Sequence, residues 1–136
     1  MNGNLQSGNE LVFFVIAGKE IHYTVTAGTI VLKEETGDRE KEAEGEKPKA
    51  QVFFTAYTMD GTKDKSNRPI TFSFNGGPGS SSVWLHLGLL GPRRVEMGDA
   101  GKLLPPPYHL VDNDYSLLDL TDLVFIDPVS TGYSRP

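Results

Sequence analysis

Residues 75–82, Asn-Gly-Gly-Pro-Gly-Ser-Ser-Ser, are the stretch whose composition points most directly to chemistry. Glycine reaches backbone angles closed to other residues and lets a second group come close to the chain. Successive glycine amides ahead of a helix can aim their N–H groups at one point, where the helix dipole adds partial positive charge. The product is an anion or oxyanion site made of backbone. The plainer reading of the same residues is a turn that reverses the chain. A phosphate loop is disfavoured. That chemistry places a Lys directly before the Ser or Thr that opens the helix. Here the position is Gly79, and no Lys lies between Lys65 and Lys102.

Other reactive residue types are sparse. Ser80, Ser81 and Ser82 read as helix caps rather than nucleophiles. Residues 132–136 (GYSRP) come nearest to the G-x-S-x-G nucleophile elbow, but their last position is Pro136. His22, His86 and His109 fall on a strand, a helix and a Pro-rich loop. None has metal-ligand spacing, so each reads as structural or surface. The chain has no Cys, which excludes a disulfide framework, a thiolate metal site and a Cys nucleophile together. Neither a metal nor another cofactor is expected.

The elements that must position the glycine loop follow from hydrophobic periodicity. Residues 11–17 (LVFFVIA) are a short apolar run that ends at Gly18-Lys19, and residues 21–26 alternate with period two. With a turn at Ala27-Gly28 and a further strand over 29–32, the simplest account is an antiparallel meander. Residues 33–49 are acids and bases without a large hydrophobe and read as a solvated connection. Residues 51–59 resume strand character, and Asp60-Gly61 opens a turn. Residues 69–74 (PITFSF) form a strand that runs into the glycine loop. Residues 83–90 (VWLHLGLL), apolar on every side and stopped by Gly91-Pro92, predict a helix buried on most of its surface. Residues 93–114 read as irregular. Residues 123–126 (LVFI) read as a strand buried on both faces. Strand, loop, helix and strand in that order imply a parallel crossover, hence a mixed α/β sheet.

The chain has 136 residues with a formal charge of −5, fifteen Gly and nine Pro. An acidic surface is a poor match for nucleic acid or an anionic membrane, so neither is expected as a partner. The longest apolar run is far short of the roughly 20 residues a spanning helix needs. Residues 1–10 carry no basic residue and no cleavage pattern, so they are not read as a signal peptide. A cytoplasmic location and a leader lying further upstream both stay open.

Residues 69–92, PITFSFNGGPGSSSVWLHLGLLGP, resemble the signature of the serine carboxypeptidase family: a strand, Asn-Gly-Gly-Pro-Gly, a small residue, Ser-Ser, a helix and a Leu-Gly-Pro end. A second block, residues 112–135, is similar to that family's Asn-x-Tyr-Ser-Trp segment, its next strand and its Asp-Gln-Pro-Val-Gly-Thr-Gly-Phe-Ser turn. Departures accompany the match. Ser73 stands where the family commonly has Trp, Ser80 replaces its Cys, Leu117 replaces its Trp, and Ser130 replaces a Gly. Such a cysteine-free version looks like a bacterial branch.

The resemblance implies the N-terminal part of an α/β-hydrolase mixed sheet with a β-rich antiparallel leading region. It divides the chain into leading strands over 1–68, with the charged loop 33–49, and the start of the hydrolase core over 69–136, as one incomplete domain. It implies removal of C-terminal residues from peptides by a Ser-His-Asp triad. One oxyanion donor would be the Gly77 amide. The Asn75 side chain and the Gly76 amide would hold the substrate's terminal carboxylate, and Trp84 and Gly88 would border the pocket for the departing residue. The family's nucleophile, Asp and His have no counterpart here. The expected partners are therefore a peptide C-terminus and the remainder of the hydrolase domain, and the chain alone is expected to be inactive. The competing expectation is a non-catalytic β-rich interaction module whose glycine loop is only a turn, packed and inaccessible.

Overall fold

The computed structural model describes residues 6–34 and 47–136. Five strands, β1 (Gln6–Ile16), β2 (Lys19–Glu34), β3 (Lys47–Met59), β4 (Ile70–Ser73) and β7 (Asp122–Ile126), form one sheet in the order β1-β2-β3-β7-β4. The first three pair antiparallel, and β7 is antiparallel to β3 but parallel to β4. The sheet is therefore mixed, and the expected parallel crossover is β4 to β7. Residues on both sides of position 68 contribute to it.

The meander is one strand shorter than expected. Ala27 and Gly28 lie inside β2, paired with Gly8 and Ser7 on one side and Thr55 and Phe54 on the other. Backbone pairing on both edges outweighs the local turn preference of Ala-Gly. The reversal between β1 and β2 lies at Ala17-Gly18, one residue ahead of the expected Gly18-Lys19 break and with both φ positive (49° and 78°), which is the twist a two-residue hairpin demands. The charged segment 33–49 is not all loop, because β2 continues to Glu34 and β3 begins at Lys47. Its remainder, residues 35–46, lies outside the described residues.

Residues 93–114 are also more ordered than expected. β5 (Arg93–Val95) and β6 (Leu110–Asp112) form a small antiparallel pair. Asp112 joins it to the main sheet by accepting the Val15 N–H at 2.9 Å.

Strand alternation sends Phe14, Ile21, Tyr23, Tyr57, Leu123 and Phe125 to one face, where they are buried with Leu118. Leu85 and Leu90, from the segment after the glycine loop, pack onto this core. The residues that alternate with them face the other way. There Ile30, Leu32, Ile70 and Phe72 are exposed. β7 is thus closed on one face only: Leu123 and Phe125 are buried, while Val124 and Ile126 are half-buried.

Candidate active site

β4 carries the chain up to buried Ser73, beside Phe125 of β7. Asn75 follows, half-buried, and its Oδ1 accepts the Leu85 N–H at 3.4 Å across the loop. Gly76, Gly77, Pro78 and Gly79 are all exposed. Gly77 and Gly79 have φ of 84° and 78°, in the left-handed region that favours glycine. A Cβ at Gly76, Gly77 or Gly79 would meet nothing within 4 Å. Glycine is required at 77 and 79 by torsion, not by crowding, and the space in front of the loop is open.

The helix beyond the loop differs from the expected one. Helix α1 is a single turn, Val83–Leu85, and it widens at once into a π-turn over His86–Leu90, closed by Gly91 N–H to the His86 carbonyl at 3.0 Å. A Cβ on Gly91 would lie 2.3 Å from that carbonyl oxygen, so only glycine closes the turn. The segment is not buried on most of its surface either. Val83, Trp84 and Leu89 are exposed, Trp84 at 69%. Only one side of the segment has a sheet to pack against. Trp84 and Gly88 both lie on its exposed part.

The serines divide by role. Ser82 occupies the N-cap position yet makes no side-chain cap to the helix. Its N–H and Oγ both donate to Asp127 Oδ1, at 2.9 and 3.0 Å. Asp127 Oδ2 accepts the Tyr133 N–H at 3.0 Å. Ser134, the centre of the elbow-like string, is completely buried. Its Oγ donates to the Asp127 carbonyl at 2.7 Å and accepts the Phe53 N–H at 2.8 Å. That hydroxyl is sealed from solvent and its proton is committed to a backbone carbonyl, so it lacks the access and the base of a nucleophile.

The histidines are scattered. His22 is exposed and meets Glu20 Oε1 at 2.7 Å. His109 is exposed in the loop before β6. His86 packs under the π-turn, stacked on Phe125 with ring centroids 4.6 Å apart, and its Nε2 lies 2.5 Å from the Tyr57 hydroxyl. Burial pulls its pKa down to about 4, with nearby Asp127 pulling weakly the other way. Burial likewise raises the Tyr57 pKa, with the neighbouring Tyr23 adding to the rise. His86 is therefore neutral at neutral pH and joins helix to sheet. Among the described residues no group of three or more His, Asp or Glu side chains is placed to hold a metal.

Asn75, Gly76 and Gly77 follow closely on the end of β4, and Trp84 and Gly88 are exposed on the segment after the loop, where the Leu85 N–H is tied back to Asn75. Sequence reasoning missed Asp127 as the residue that holds Ser82 at the end of the loop. A signal was present in the two aspartates that bracket the apolar strand. Asp122, at the far end of β7, accepts the Arg68 Nε–H at 2.6 Å and the Met59 N–H at 3.0 Å.

The serine carboxypeptidase family model matches residues 41–136. The chain belongs to the serine carboxypeptidase family. It is 35% identical over 109 residues to the pheromone-processing carboxypeptidase KEX1 of Saccharomyces cerevisiae, a match covering 79% of this chain and 13% of that protein. The same figures hold for KEX1 of a second strain, JAY291. Among solved structures, the crystal structure of KEX1(Δ)p, a prohormone-processing carboxypeptidase from the same yeast, is similar with a TM-score of 0.56 and 32% identity. That match covers 81% of this chain and 20% of the yeast chain. The mixed sheet, largely antiparallel with few helices, is the N-terminal part of a carboxypeptidase α/β-hydrolase fold. The chain spans only a small part of the length of these relatives.

Proposed function

We propose that this chain is the N-terminal section of a serine carboxypeptidase that removes C-terminal residues from polypeptides. The Gly77 amide is one oxyanion donor. The Asn75 side-chain amide and the Gly76 N–H receive the substrate's terminal carboxylate, as neutral donors that hold the charge without quenching it. Trp84 and Gly88 border the space for the departing residue. The nucleophile and its partners come from the remainder of the domain, and the 136 residues alone hydrolyse nothing. The similar yeast proteins are named for processing a pheromone and a prohormone, which suits a polypeptide substrate.

The observation that carries this reading is the openness of residues 76–79, on a loop with its torsions set by Gly77 and Gly79. A loop that served only to turn the chain inside an interaction module would be packed, and this one faces solvent.

The test is a titration of the 15N-labelled chain with N-acetyl-phenylalanine and, separately, with its carboxamide. The carboxylate is expected to move the Gly76, Gly77 and Asn75 side-chain resonances, and the amide to leave them in place. Equal responses, or shifts confined to other residues, refute the assignment. Release of product from a blocked dipeptide above the buffer rate would refute the inactivity.

A further inference from the structure

We propose that Asp127 is the positioning residue of the glycine loop, fixing the direction in which the Gly76 and Gly77 N–H groups point. The inference rests on the reading above that this loop receives a carboxylate and an oxyanion.

The loop's glycines have no side-chain packing to hold them, and the bond across the loop from the Leu85 N–H to Asn75 Oδ1 is long, at 3.4 Å. A Cβ at Gly76, Gly77 or Gly79 would touch nothing, and the internal bond from Ser80 N–H to the Gly77 carbonyl is long, at 3.5 Å. Glycine torsions in open space are free unless both ends of the segment are held. Both ends are held here, one by β7 and one by the residue that follows it. Ser73 is paired with Phe125 of β7. Ser82 is bound through its N–H and Oγ to Asp127, two residues further on. The loop therefore spans from Phe125 of β7 to Asp127, just past that strand's end.

Asp127 is itself immobilised. It is 5% exposed, its N–H donates to the Phe53 carbonyl at 3.0 Å, and its carbonyl accepts from Ser134. Its second carboxylate oxygen accepts the Tyr133 N–H. The turn closes against it so tightly that a Cβ on Gly132 would lie 1.9 Å from Oδ2 and 3.0 Å from the Ser81 Cβ. The carboxylate has no room to rotate. Three donors to one carboxylate are charge-assisted hydrogen bonds, stronger than bonds to a neutral amide. The Ser82 hydroxyl serves this carboxylate instead of capping its own helix. The first turn of the helix is thus tied to the sheet rather than to itself.

The experiment compares Asp127→Asn with wild type in the 15N-labelled chain, with and without N-acetyl-phenylalanine. The near-isosteric amide keeps one acceptor and presents N–H₂ to a donor that needs an acceptor. In the free chain, the Gly76 and Gly77 resonances are expected to move while those of Ile16 and Ile21 in the β1–β2 hairpin stay in place. Affinity for the carboxylate should fall by about tenfold, the loss of one charge-assisted bond's worth of alignment. A purely structural role would lower the melting temperature with the Gly76 and Gly77 resonances and the affinity unchanged, and that result overturns the proposal. Should Asp127→Asn not fold, Ser82→Ala removes a single bond to the same carboxylate. It must then move the same two glycine resonances, and their constancy overturns the proposal. If wild type binds no carboxylate, the proposed function fails. The positioning role is then decided by the free-chain resonances alone.

Discussion

His86 joins the loop's helix to the sheet, and its chemistry makes that joint sensitive to acid. An unfolded histidine takes up its proton near pH 6.5, whereas the buried ring does so only near pH 4. Between those values protons bind the unfolded chain more readily than the folded one. The stability lost through this group therefore accumulates as pH falls from about 6.5 to about 4, and no more is lost below that. The full effect is at most about 3 kcal/mol. Tyr57 stays neutral throughout, since burial moves its pKa upward. Carboxylates elsewhere also respond to acid, so the comparison with His86→Gln isolates the ring. Glutamine keeps a hydrogen-bonding group for the Tyr57 hydroxyl but does not titrate. Wild type should be the more stable at pH 7 and lose that margin by pH 4. Thermal unfolding followed by circular dichroism at half-unit intervals checks it. A margin that stays constant over this range would mean the ring is not buried neutral.

At the scale of elements, the β1–β2 hairpin holds an avoidable strain. Ala17 sits at φ 49°, where a Cβ costs about 1 kcal/mol, while Gly18 at 78° is suited to its place. Asn tolerates the left-handed region better, and Asn-Gly is the preferred pair for such a turn. Ala17→Asn should stabilise the chain by about 0.5–1 kcal/mol. In urea denaturation the midpoint should rise with an unchanged slope, and a lowered midpoint would refute the turn assignment. The same hairpin shows what the sequence made legible. The alternation of Ile21, Tyr23 and Val25 announced a strand with one buried face, and that face is the core side. The break at the end of the first apolar run was legible at Gly18, whereas Ala27-Gly28, which reads as a second turn, is strand. Gly28 opposes Phe54 within the sheet, a pairing with a residue far along the chain that no local window contains. The glycine loop was legible because Gly77 and Gly79 are there for their torsions, which composition betrays. The grip of Asp127 on Ser82 was not, since it joins residues 45 apart. The π-turn was hidden because it depends on Gly91 closing onto a carbonyl five residues back, where the sequence offered only a stop signal.

The whole molecule is one-sided. The core face of the sheet is packed by Leu85 of α1, Leu90 of the π-turn and Leu118, while Ile30, Leu32, Ile70 and Phe72 remain exposed on the other. β4 has β7 on one flank and, among the described residues, no strand on the other. A sheet with one apolar face and an unpaired edge favours association. The helix over 83–90 and the strand over 123–126 are patterned for burial, so a chain that supplies only part of a domain is expected to leave them without their covers. Exposure does include Val83, Trp84 and Leu89, but on the sheet it falls on β2 and β4 more than on β7, whose central place buries Leu123 and Phe125. Phe72, 58% exposed near the open edge, is the informative position. A lysine there adds a charge to the apolar face and disfavours edge pairing, while touching nothing in the buried core. Wild type is therefore expected to sediment as a concentration-dependent mixture and to bind an apolar dye. Phe72→Lys should sediment closer to a monomer and bind less dye, with an unchanged circular dichroism spectrum. A wild type that is monomeric at all concentrations would show that this face is not adhesive. If association is seen and the lysine relieves it, the variant is also the background in which the resonances of the glycine loop are best measured, since the loop lies beyond the end of β4 and Phe72 makes no part of the site.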